Sequence, residues 1–459
     1  MRSFLVLILM LSGALIELPA QSHDDAVRIL AGHRDWIFCA AWNREGTRLA
    51  TAGGDGTARI WDGRSGALLQ TLARDTGWVY MVTWSPDGNR LATAGKDGWV
   101  FVWDANDGRV LLTLPRVEAG VIGVEWSPDG SRIATTGSFT PGIWDATGGR
   151  LICALAGHRN SIASIKWSPD SRHVATASTD STVRIWDARS GALIRTLTGH
   201  LGLVNRLAWS RDGRRLLTGS WDRSARLWNV FSGELLHTFG YHGDWVTGVA
   251  WSPDEQQVAT ASWDNTVRIW DANSGAVLDT LTGHADDVFT VAWSPDGLRI
   301  VTSSQDGTAM IWDARSHVLI DTLKGHTDCV PVAVWSPDGS RIVTASRDFT
   351  ARIWDVGLPM AVRAEPGQEP SAATLRIVAV NPNPIGRRAE IEIETIERGR
   401  VRLVMTDIRG SEVAVVFDGT LPAGRHLVPI ESGTLPTGSY LLRLVAADAS
   451  AVERVEIVR

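Results

Sequence analysis

The chain has 459 residues, with 45 Lys+Arg against 51 Asp+Glu and a formal net charge of −6. So mild a balance gives no electrostatic footprint for nucleic acid or for an anionic membrane surface. Three cysteines, Cys39, Cys153 and Cys329, are too few and too scattered for a disulfide framework, so the fold must rest on its cores and the thiols are expected to be buried.

Residues Met1 to Ala20 open with Arg2, run through the apolar stretch Phe4 to Leu11 and end on a small residue before the polar Gln21-Ser22-His23-Asp24-Asp25. That is the pattern of a signal peptide cut after Ala20. The apolar run falls short of the roughly 20 residues that a membrane-spanning helix requires. No later stretch is longer, so the mature chain is expected to hold no integral membrane segment.

From residue 26 to residue 355 the chain repeats itself. A terminal Trp recurs at Trp61, Trp103, Trp144, Trp186, Trp228, Trp270, Trp312 and Trp354, a period of 42 residues with a single step of 41. Within one repeat, β-rich runs alternate with turn clusters, as in Val288 to Trp293, Leu298 to Ser303, Thr308 to Trp312 and Val318 to Leu323. Ser294-Pro295-Asp296-Gly297 supplies a tight turn between the first two. Four short strands and their turns fill the period, which predicts one propeller blade per repeat. Ala26 to Leu30 reads as an outermost strand without the inner three, and the last repeat lacks its own outermost strand. The two ends therefore pair and close eight blades; seven closed blades with one loose repeat is the alternative.

Gly-His near the start of most repeats, an Asp in the turn before the third strand of seven and Trp-Asp at the end of seven, with Trp228-Asn229 the exception, resemble the WD40 repeat family. The resemblance implies an internal hydrogen-bond chain from Trp through a Thr hydroxyl to His and Asp, for example Trp312, Thr302, His284 and Asp306. The further sets are His33, Asp55 and Trp61; His158, Asp180 and Trp186; His200, Asp222 and Trp228; His242, Asp264 and Trp270; and His326, Asp348 and Trp354. These residue types are those of a hydrolytic triad, yet six repeats carry them and no enzyme needs six nucleophiles. They are read as structural, and no catalytic residue is assigned.

Two repeats depart from the pattern. Arg74-Asp75 and Arg116-Val117 stand where Gly-His is expected, and Ser138-Phe139-Thr140-Pro141-Gly142 loses one residue and the turn Asp. Pro141 is also expected to remove a donor from a paired strand, making the third blade the least regular.

Residues 356–373, rich in Pro, Ala and Glu, read as a linker. From residue 374 to residue 459 seven short strands alternate with turns: Leu375 to Val380, Ala389 to Ile396, Val401 to Thr406, Glu412 to Phe417, Arg425 to Ile430, Tyr440 to Val445 and Val452 to Val458. This predicts a small Ig-like β-sandwich, so the whole chain is all-β. Asn381-Pro382-Asn383-Pro384, Leu421-Pro422-Ala423-Gly424 and Leu435-Pro436-Thr437-Gly438-Ser439-Tyr440 resemble the C-terminal sorting domain of the type IX secretion system. That resemblance implies secretion machinery as one partner, and a secreted or surface-attached protein of a Gram-negative-type bacterium. A generic adhesion-type sandwich is the plainer alternative.

No Cys/His cluster has zinc spacing, no Gly-rich phosphate loop opens a helix, and Asp104 to Gly108 reads as a hairpin turn and not a calcium loop. No metal and no cofactor is expected. Two functions from different classes remain: a monomeric scaffold that binds a protein or peptide on a propeller face, as the WD40 resemblance implies, and an exported enzyme with its site in the central channel. The scaffold is the expectation. Its face is sought where the repeat does not dictate the residue, just before the turn Asp and three residues after the His. Large aromatics concentrate there in repeats five and six, so Trp221, Trp245 and Trp263, with Leu203 and Tyr241 beside them, are the candidate partner-binding residues. The alternative is that these indoles pack as local core.

Overall fold

The structure, a computed structural model, describes residues 27–74, 77–117, 120–137, 141–240, 242–357, 376–381, 388–395, 399–407, 412–431, 438–446 and 449–457. Met1 to Ala20, expected to be a signal peptide, most of residues 356–373 and Tyr241 lie outside the described residues. The chain divides into two compact units, Met1–Gly357 and Leu358–Arg459.

The first unit is an eight-bladed propeller. Blade 1 is the antiparallel sheet Ile37–Trp42, Arg48–Gly53, Thr57–Asp62 and Leu68–Ala73, running from the innermost strand to the outermost, and seven like sheets follow. Blade 7 shows why the sequence folds this way: the Gly297 N–H donates to the Ser294 carbonyl at 2.9 Å, Gly297 takes φ 73° and the Asp296 carboxylate accepts from the Leu298 N–H at 3.0 Å. The strands then start within a residue of their predicted positions, at Val288–Trp293, Arg299–Ser304, Ala309–Asp313 and Leu319–Leu323.

The inner strands of successive blades adjoin around the whole ring, including Val332–Trp335 of blade 8 against Ile37–Trp42 of blade 1. Apolar cores fill the spaces between neighbouring blades; Trp103 and Leu91 of blade 2, for instance, close on Ile60 and Ala52 of blade 1. A second device joins the blades. The residue that opens each second strand is often Arg, and its guanidinium stacks on an inner-strand Trp of the next blade: Arg90 on Trp126 at 4.6 Å, Arg132 on Trp167 at 5.0 Å, Arg215 on Trp251 at 4.7 Å, Arg299 on Trp335 at 4.7 Å and Arg341 on Trp42 at 5.0 Å.

Closure uses the N-terminal strand. Val27–Leu30 pairs antiparallel with Ala351–Asp355, Val27 opposite Trp354 and Leu30 opposite Ala351, and Arg28 bridges to Asp355 at 2.8 Å. Leu30 is fully buried among Ile37 and Leu49 of blade 1 and Val343 and Ile353 of blade 8.

Blade 3 has strands of only four or five residues. The expected loss of a donor at Pro141 does not occur, because the third strand starts at Gly142 and Pro141 only offers its carbonyl to the Leu155 N–H at 2.8 Å. The thiols also depart from expectation. Cys329 is buried, but Cys39 and Cys153 are partly exposed and all three are free. Cys39 sits on an innermost strand with its Sγ 3.4 Å from Met81 Sδ of the next blade, and Cys153 sits on the outermost strand of blade 3, so neither is enclosed as a core position would be.

The second unit has two antiparallel sheets. One orders Arg376–Asn381, Arg388–Thr395 and Gly424–Glu431; the other orders Glu412–Leu421, Gly399–Asp407, Gly438–Ala446 and Ala449–Ile457. Ile391 and Ile393 from the first share one core with Leu403, Met405, Leu442 and Leu444 from the second, a small β-sandwich.

Without residues 27–30, the Ala351–Asp355 edge would lie open and the core around Leu30 would lose its centre. A chain lacking them is expected to lose several kcal/mol and to self-associate, measured by thermal melting and sedimentation; a monomer with an unchanged melting temperature would refute closure by this pairing.

Candidate functional site

In six blades one buried Thr hydroxyl joins three side chains. His Nδ1 lies 2.8–3.1 Å from the Asp carboxylate and His Nε2 lies 2.7–2.8 Å from Thr Oγ1. The Trp indole N–H donates to the same Oγ1 at 2.8–3.1 Å. Because that oxygen accepts from the indole, its own proton points to His Nε2, which leaves the Nδ1–H to donate to the carboxylate. Each Asp takes three more donors: the backbone N–H after the His, at 2.8–3.1 Å, and, two residues on, a hydroxyl at 2.6–2.7 Å and its backbone N–H at 2.9–3.1 Å.

Burial alone would raise the carboxyls of Asp55, Asp180, Asp222, Asp264, Asp306 and Asp348. The His and hydroxyl donors outweigh it and hold all six well below the ordinary carboxylate range. His158 and His200 are pulled below the ordinary imidazole value by burial, which their Asp partners offset only in part. Blades 2 and 3 keep the Trp-to-Thr bond alone, Trp103 to Thr93 and Trp144 to Thr135, both at 2.9 Å.

This clamp ties the His-bearing loop to the Asp-bearing turn. In seven blades the N–H of the residue before the turn Asp, or before its equivalent, also donates to the carbonyl of the residue three after the His, at 2.8–3.1 Å, as from Trp221 to Leu203 and from Trp263 to Trp245. In these seven blades both loops therefore open on one end of the central channel. At that mouth the Trp221 ring stacks on Trp245 with centroids 3.8 Å apart and planes 2° from parallel, and Trp263 lies 4.6 Å from Trp245 and 6.5 Å from Trp221. Trp221 is 37% exposed, while Trp245, Trp263 and Leu203 are partly buried. The three indoles thus pack on one another and still reach solvent through Trp221.

A second aromatic patch lies apart from the predicted cluster. Trp36, Phe38, Trp78 and Tyr80 of blades 1 and 2 lie with neighbouring centroids 5.6–6.4 Å apart. Arg347 of blade 8 covers Trp36 at 4.6 Å, and Lys96 covers Trp78 at 4.7 Å. Trp36 and Trp78 occupy the same variable loop position as Trp245, which was the available signal. Asp104 forms the expected hairpin turn, accepting from the Asn106 N–H at 2.8 Å. Among the described residues, no group of three His, Cys, Asp or Glu is arranged to hold a metal ion.

The family model for the WD domain, G-beta repeat, matches residues 25–62, 66–104, 149–187, 191–229, 233–271, 275–313 and 317–355, passing over most of the irregular blade 3. No curated protein matches the sequence. Among solved structures the chain is similar to the computationally designed Ika8 protein, at 24% identity and a TM-score of 0.65, covering 71% of this chain and 98% of that one. That likeness is one of fold.

The depressed carboxyls contribute stability at neutral pH that is lost as pH falls through the ordinary carboxylate value, near 4, toward their folded values. His158 and His200, harder to protonate in the folded chain, remove further stability below about pH 6.5. The melting temperature should hold steady above about pH 7, decline below about 6.5 and drop more steeply below about 4. A melt that is flat from pH 7 to pH 4 would contradict this arrangement.

Proposed function

The chain belongs to the WD40 repeat family, and from that premise we propose that it is a binding scaffold, not an enzyme, whose partner is a protein or peptide held at the channel mouth by Trp221, Trp245 and Trp263. The observation that carries the reading is the stack of Trp221 on Trp245, which holds a large indole rigidly in place while leaving it 37% exposed. A pre-ordered aromatic loses little conformational freedom on binding, which is why such residues dominate interfaces. The non-enzymatic reading is supported by the buried hydroxyls: each Thr of the six sets already holds an indole and an imidazole, so none is free to attack a substrate.

The scaffold is further proposed to act outside the cell, secreted or surface-attached, with the C-terminal sandwich as its sorting element. Support comes from the Met1 to Ala20 pattern and from the Pro-Gly turn motifs of the tail.

Replacing Trp221 and Trp263 by Ala should remove partner binding, at about 2 kcal/mol or more per residue, while thermal melting changes little. A sharp fall in melting temperature with partner capture intact would make the pair structural. Deleting residues 374–459 should abolish surface or extracellular accumulation in the native host; unchanged levels would sink the sorting reading.

A further inference from the structure

We infer that the partner's docking segment is cationic and extended, and that it crosses the channel mouth from the Trp221 stack to a second seat on the Trp36, Phe38, Trp78 and Tyr80 patch. The inference rests on the scaffold reading above and names the chemistry of its partner.

Blades 1 and 2 lie four steps from blades 5 and 6 in a ring of eight, so the two aromatic patches face each other across the mouth. Trp36 and Trp78 are each 36% exposed, matching Trp221 in exposure. Two rigid aromatic seats on one rim suit one segment that reaches both.

Charge selects the kind of segment. The arc from blade 6 through blades 7 and 8 to blade 1 carries Asp244, Asp286, Asp287, Asp328 and Asp35 in the loops entering the innermost strands. At the matching position two after the His, or after its equivalent, blades 2, 4 and 5 carry Gly77, Asn160 and Gly202. Asp244, Asp286, Asp328 and Asp35 each cap the next backbone N–H, at 2.6–2.9 Å, and among the described residues none of the five carboxylates has an ion-pair partner. Burial raises Asp287 above the ordinary carboxyl value, and the neighbouring Asp286 and Asp244 push it further; along the arc these five carboxylates stand against Arg34 and the Arg347 that covers Trp36, so this stretch of rim is acidic on balance. The carboxylates are spread along four blades and do not converge as a metal site would. A row of lysine or arginine side chains matches that spread, with apolar residues between them for the aromatic seats.

The test uses the full chain and two fluorescein-labelled peptides, one alternating lysine with leucine and one alternating glutamate with leucine, read by fluorescence anisotropy. The lysine peptide should bind, weaken as salt rises, and outcompete the glutamate peptide. The pairs Asp286→Asn with Asp328→Asn and Trp36→Ala with Trp78→Ala should each weaken it about tenfold or more; Asn keeps the backbone cap, so the fold survives. If the Trp221→Ala, Trp263→Ala protein loses the lysine peptide while the Asn pair and the Trp36, Trp78 pair bind like the parent, the scaffold stands and this inference falls. Equal binding of the two peptides, or binding indifferent to salt, overturns the cationic segment outright.

Discussion

The mouth of the channel depends on one buried hydroxyl per blade. Thr302 accepts from the Trp312 indole and donates to His284, which hands its other ring proton to Asp306, and Asp306 in turn gathers the Ala285 N–H and the Thr308 hydroxyl. In the six full sets every polar group is satisfied by the next, and removing one member would strand its neighbours in an apolar core; blades 2 and 3 carry the Trp-to-Thr bond alone. What the network fixes in space is the loop before the inner strand and the turn before the third, the two pieces of backbone from which the mouth is made. A rigid rim follows from an interior constraint, and the residues displayed on that rim are free to vary. Interior uniformity and rim diversity are two sides of one design.

The diversity is not random around the ring. Indoles gather at blades 5 and 6 and at blades 1 and 2, carboxylates run along blades 6, 7, 8 and 1, and small or neutral residues occupy several of the other loop positions. A symmetric scaffold thereby carries an unevenly furnished rim. The same rule governs neighbours within it: the residue before the turn Asp of one blade lies against the residue three after the His of the next, which puts Trp221 on Trp245 and Arg347 on Trp36.

Much of this was legible before the structure. The turn chemistry of Ser-Pro-Asp-Gly and the spacing of the terminal Trp place the strands to within a residue, because those turns admit few backbone solutions. The Trp221, Trp245 and Trp263 cluster was legible too, since the repeat leaves those positions open. The patch around Trp36 was not, and the reason lies in the inner strands. Those of blades 1 and 2 carry a register shift near their start, between Ile37 and Cys39 and between Val79 and Met81. A bulge adds a residue that strict alternation does not anticipate, and the added residues are Phe38 and Tyr80, so two rings that join the patch were invisible as its members. The stacking of Arg90 on Trp126 was hidden for another reason: it spans a blade boundary, and nothing within one repeat announces it.

The strand Val27–Leu30 is made first and used last. Arg28 and Asp355, its partner, lie 327 positions apart in the chain. Every other blade is completed from local sequence, four strands in a row, and can form as soon as its residues are available; the seal of the ring cannot. Loop-closure entropy grows slowly with length, so the distance costs little in final stability, yet pairings of such range are the slow steps of folding. The molecule therefore has a built-in order of assembly, with seven blades in place as an open arc and the eighth completed only when the two ends of a long chain find each other. Until that moment two sheet edges stand unpaired, and this interval, not the finished ring, is where the protein is most vulnerable to its own kind.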